Sequence, residues 1–78
     1  MSNLQEAINL LDLLIQENEV SKRFKEKAAR AISILNSQEQ LFLEKALLEL
    51  EEMNSLEMSS YYRTQVWDII SLLESLKN

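Results

Sequence analysis

Apolar side chains return every three or four residues along almost the whole chain, and nowhere do they alternate strictly as in a half-buried strand. At about 100° per residue, Leu4, Ala7, Ile8, Leu11, Leu14 and Ile15 form a first stripe, with Leu13 left on the far side. A second stripe joins Phe24, Ala28, Ala31, Ile32 and Leu35, and a third joins Leu43, Ala46, Leu47, Leu50 and Met53. The fourth takes in Tyr62, Val66, Ile69, Leu73 and Leu76. The punctuation between stripes is made without glycine or proline. Asn18, Asn36 and Asn54 are the residues best able to end a helix in the left-handed conformation. Ser2 and Ser37 each precede a Gln by three residues, the spacing of a capping box, while Ser21 and Ser59 or Ser60 are placed to cap the second and fourth helices. The pattern therefore predicts an all-α chain with helices near 3–17, 21–35, 38–53 and 60–76. Joined by short turns, neighbouring helices should run antiparallel.

The pattern also repeats. Val20-Ser21-Lys22-Arg23-Phe24-Lys25 aligns with Met58-Ser59-Ser60-Tyr61-Tyr62-Arg63, and the same register carries Ala31-Ile32-Ser33-Ile34-Leu35 onto Ile69-Ile70-Ser71-Leu72-Leu73. Upstream, Leu10, Leu11 and Leu14 fall on Ala46, Leu47 and Leu50. Two tandem helix-turn-helix units are the reading, closing on each other as a four-helix bundle, because two copies are too few for a solenoid. Chance likeness between amphipathic helices is the plainer alternative, and the matched polar pair Ser33 and Ser71 weighs against it.

Composition narrows the options further. A chain of 78 residues is a single small domain, and such domains usually add a disulfide, a metal or a partner subunit to a marginal core. With no Cys and no His, disulfides, zinc thiolates and the commonest general base are all missing. Helix quality and self-association remain. The net charge of −5 disfavours nucleic acid as the main ligand. The longest apolar run, LLDLLI, is too short to span a bilayer, and Met1-Ser2-Asn3 does not open a signal peptide, so the cytosol is the expected compartment.

Two features exceed what a core needs. Leu41 and Leu48 lie seven residues apart, opposite the main stripe of the third helix. On the fourth, Trp67 with Ile70 occupies one flank and Tyr61 with Leu72 the other, so apolar groups cover roughly 240° of the helix, wider than a core-facing stripe. Either that helix is central and covered by its own chain, or it is shared with a second subunit or another protein. Arg63 stands four residues before Trp67, close enough to lay its guanidinium on the indole. Leu41, Leu48, Tyr61, Arg63, Trp67 and Ile70 are thus the candidate contact residues. Five of the eight basic residues sit in the second helix, where Arg23, Lys27 and Arg30 make one stripe, and Glu39, Glu44, Glu49, Glu51 and Glu52 gather on the third. Complementarity between helices or subunits explains this most simply; a phosphate-binding stripe is the competing reading. There is no His-paired nucleophile, phosphate loop or Glu-x-x-His metal pair, so no catalytic residue, metal ligand or cofactor is expected, and no small-molecule substrate is evident. Glu44, Glu49 and Glu52 could hold a hard cation only by converging with other segments.

The run Arg63-Thr64-Gln65-Val66-Trp67-Asp68-Ile69-Ile70-Ser71-Leu72-Leu73-Glu74 resembles the hallmark of a small archaeal family, uncharacterised protein family 0147, and Val20 to Ala31 with its Ala28-Ala29 pair is similar to that family's earlier helix. The chain departs from the family in carrying Ser21 and the Ser59-Ser60 pair where proline is usual. The resemblance implies an all-helical archaeal protein of unassigned activity and brings no catalytic residues. The expectation is a non-enzymatic protein–protein interaction module, self-associating through its last helix, with a dimer favoured. The alternative is a nucleic-acid or ribonucleoprotein accessory using the second helix.

Overall fold

A computed structural model describes residues 2–77. Four helices follow one another: α1 (Asn3–Ile15), α2 (Lys22–Ser37), α3 (Phe42–Asn54) and α4 (Ser60–Leu76). Each packs on the next and α4 closes against α1, while the backbones of diagonal helices stay apart among the described residues. The direction of the helices is visible in their side-chain bonds. Asn3 bonds Ser75 and Tyr62 bonds Glu17, so α1 and α4 run antiparallel; Lys27 meets Glu52 and Arg30 meets Glu49, so α2 and α3 do too. This is the four-helix bundle the pattern predicts.

The stripes form one core. Of the predicted positions, Ala7, Leu11, Leu14, Phe24, Ala28, Ala31, Leu35, Ala46, Leu47, Leu50, Met53, Tyr62, Val66, Ile69 and Leu73 are buried, and Leu4, Ile8, Ile15, Ile32, Leu43 and Leu76 pack partly against them. No polar side chain is buried among the described residues. The accessible surface is 4946 Å², close to the roughly 4,900 Å² of a compact monomer of this mass. Several positions aligned by the internal repeat share their burial. Phe24, Ala28, Ala31 and Leu35 in α2 and Tyr62, Val66, Ile69 and Leu73 in α4 are the same four positions of the repeat, all buried. Leu11 and Leu14 correspond likewise to buried Leu47 and Leu50.

Two of the serine caps are formed. The Ser2 hydroxyl accepts from the Gln5 amide and the Ser21 hydroxyl from the Phe24 amide, satisfying one otherwise unpaired donor at each helix start. Gln5 turns its own side chain to Asn9, so the box at Ser2 is only half closed. Ser59 stands at the N-cap of α4 without a side-chain bond. Other expectations are corrected. Asn18, Asn36 and Asn54 are not left-handed; the positive φ values fall on Gln38 (50°) and Leu41 (63°). Ser37 does not start α3. It belongs to α2, where its hydroxyl donates to the Ile34 carbonyl and accepts from the Glu39 amide. Residues 38–41 instead turn the chain tightly, so α3 begins at Phe42 rather than near 38. Reversing direction in so few residues demands left-handed conformations, and without glycine Gln38 and Leu41 adopt them.

Candidate interaction surface

The candidate contact residues lie on two faces of the bundle. Arg63 marks the side of α4 turned to α3, because its guanidinium donates to the carbonyls of Asn54 and Leu56 at the end of that helix. Trp67, four residues on, shares that side and is 54% exposed. Leu41, in the turn before α3, and Leu48, on the side of α3 away from its core stripe, are 58% and 56% exposed. Tyr61 lies on the other flank, where it lines a cleft with α1. Its ring also meets Tyr62 edge-on, the centroids 5.1 Å apart.

Two expectations change here. Ile70 is not a surface residue: it is 7% exposed and belongs to the core. It lies only about 40° beyond Val66, at the margin of the buried stripe, which is the signal that could have placed it there. Arg63 does not clamp the indole. The last carbonyls of a helix have no partner within it, and a cation with several donors placed there satisfies them and meets the negative end of the helix dipole.

The basic stripe is largely occupied within the chain. The Lys27 ammonium lies 2.7 Å from Glu52 and 3.7 Å from Glu49, and Arg30 lies 4.0 Å from Glu49. The hydrogen bond from Lys27, followed by its charge, holds the Glu52 carboxyl below the usual carboxylate range. Glu49 Oε1 is buried and has no hydrogen-bond donor, so Lys27 is the charge that compensates it. Of the predicted phosphate-binding set, Arg23 makes no ion pair among the described residues, though its charge also lowers Glu52.

A cleft of ≈ 190 Å³ opens between α1 and α4, lined by Leu10, Leu13, Leu14, Glu17, Tyr61 and Gln65. Leu13, set aside by the stripe analysis, is 58% exposed at its edge. Beneath it Tyr62 donates its hydroxyl to Glu17 at 2.9 Å. That bond, aided by burial and the charges of Glu17 and Glu19, pushes the Tyr62 phenol up to about 12. Among the described residues no group of three or more acidic side chains could hold a metal ion, and no helix is long and apolar enough to cross a membrane.

No curated protein and no solved structure matches the chain. One family model does, over residues 1–76, and it is described as an uncharacterised protein family. With its four-helix fold and a match that covers nearly its full length, the chain belongs to uncharacterised protein family UPF0147.

Proposed function

We propose that this protein is a non-enzymatic interaction module of the cytosol that pairs with a second copy of itself through the outer face of α3 and α4. The observation that carries the reading is Leu41. A leucine with φ 63° is in a conformation that costs about 1–2 kcal/mol for a residue with a Cβ. It also occupies the N-cap of α3 and makes no capping bond there. Asparagine or glycine would serve the turn better on both counts, yet the position holds a large apolar side chain open to water. The turn requires the left-handed conformation but not a leucine, and a strained, exposed leucine at such a position points to a functional contact.

Leu48 is a second exposed leucine seven residues on, in α3, and Trp67 is exposed on the side of α4 turned to α3. Trp and Arg dominate the energetics of protein contacts, but here Arg63 serves α3, which leaves Trp67 as the anchor. A twofold arrangement would bury the same patch on both subunits. The nucleic-acid reading has less support, because two of its three cations already face Glu49 and Glu52.

The Leu41→Gly variant tests the proposal without risk of unfolding. Relief of the left-handed leucine should raise the unfolding free energy of the dilute chain, by up to about 1 kcal/mol. In sedimentation velocity the same variant, and Trp67→Ala, should weaken self-association. A Leu41→Gly protein that associates as strongly as the parent would overturn the proposal.

A further inference from the structure

The two long seams of the bundle correspond under the internal repeat, and their chemistry differs. In the α2–α3 seam Lys27 and Arg30 reach Glu49 and Glu52. The matching positions of the α4–α1 seam are Gln65, Asp68, Leu13 and Gln16. Both cations have been replaced, and the partly buried Glu49 corresponds to an exposed leucine. The first seam is closed by its own ion pairs, and the second is left open as the cleft beside Tyr61.

The charge around that cleft has one sign. Helix α1 carries no Lys or Arg, and the single basic residue of α4, Arg63, is directed at the carbonyls on the opposite flank. Glu17 lines the cleft, and at 100° per residue Glu6 and Asp68 lie on the same flanks of α1 and α4. Neither Glu6 nor Asp68 forms an ion pair among the described residues. At ≈ 190 Å³ the cleft is smaller than the roughly 300–1,000 Å³ of small-molecule sites, and its size suits a single anchoring side chain.

We infer that the α1–α4 cleft is a docking site for a cationic amphipathic helix of a partner protein. An apolar residue of that helix sits between Leu10, Leu13 and Tyr61, and separate Lys or Arg residues lie beside Glu17 and Asp68. The partner's cations take the role that Lys27 and Arg30 fill in the other seam. Helix-in-groove recognition of this kind uses anchors at helical spacing. The site is separate from the α3–α4 face and does not depend on self-association.

The test is an NMR titration of the full chain with a four-turn Leu/Lys helical peptide. Two control peptides accompany it: a Leu/Glu peptide with the same apolar face, and a scrambled Leu/Lys peptide with none. Amide shifts should centre on Leu13, Glu17, Tyr61 and Gln65. Leu13→Ser and Asp68→Asn, both at exposed positions, should each weaken binding, the first by about tenfold or more. The Leu/Glu peptide should not bind, and Trp67→Ala should leave binding unchanged. Shifts centred on Leu48 and Trp67, or equal binding of the scrambled peptide, would overturn the proposal. So would a change in the oligomeric mass of the Leu13→Ser protein, because a second copy would then fill the cleft.

Discussion

Replacing Arg63 by Met keeps the length of the side chain and removes its charge and donors, which isolates the role assigned to it. In the structure the guanidinium bonds two carbonyls, Asn54 at the last residue of α3 and Leu56 in the turn that follows. A hydrogen bond involving a charged group contributes about 1.5–3 kcal/mol, and a cation at a helix C-terminus roughly 0.3–1 kcal/mol more. Water can replace part of the loss because the site is only partly buried. The net expectation for Arg63→Met is about 2–3 kcal/mol of destabilisation. In a domain this small each kcal/mol moves Tm by about 4–8 °C, so the midpoint should fall by about 10–20 °C. Arg63→Lys keeps the charge but loses the fork and should fall between. Urea unfolding followed by far-ultraviolet circular dichroism, on dilute protein, gives the number. A double-mutant cycle with Trp67→Ala separates this role from an interaction with the indole. The two changes should add within about 0.5 kcal/mol, because the guanidinium and the ring are not partners. A coupling of about 1 kcal/mol, or an Arg63→Met protein as stable as the parent, would refute the assignment.

Two further outcomes follow from the ion pairs and the buried phenol. Lys27→Met should cost about 1–3 kcal/mol in chemical unfolding, because the partly buried Glu49 carboxylate then keeps only Arg30, at 4.0 Å and largely exposed; adding Glu49→Leu should recover most of the loss, since a well-packed apolar pair replaces a part-buried ionic one with little penalty. For Tyr62 the phenol is neutral in the fold, with its pKa raised from 10.0 to about 12, so its contribution is complete below pH 10 and is lost as pH rises from 10 towards 12. Urea midpoints measured across that range should fall for the parent and fall less steeply for Tyr62→Phe; parallel profiles would count against the Tyr62–Glu17 bond.

The core was legible because helical periodicity specifies it directly: fifteen predicted positions from Ala7 to Leu73 are buried, and the repeat relates the four of α2 to four of α4. Ser2 and Ser21 were legible for a similar reason, since a cap is a local bond between residues three apart. The turn at 38–41 was not. Its left-handed residues are set by the need to bring α3 back along α2, and no local preference of Gln or Leu announces them. Arg63 was misjudged because sequence spacing shows only the neighbour on its own helix, whereas its acceptors come from the preceding one. Ile70 lies at the margin of the buried stripe, where one added contact with a neighbouring helix decides between core and surface. The cleft was invisible for a different reason. It arises from the absence of charges at positions equivalent to Lys27 and Glu49, which has meaning only once the two seams can be compared.

Sedimentation equilibrium of the unmodified chain, from low micromolar to millimolar concentration, tests self-association most directly. The weight-average mass should climb from 9.1 kDa towards twice that value as concentration rises. A mass that stays at 9.1 kDa throughout would contradict pairing through Leu41, Leu48 and Trp67.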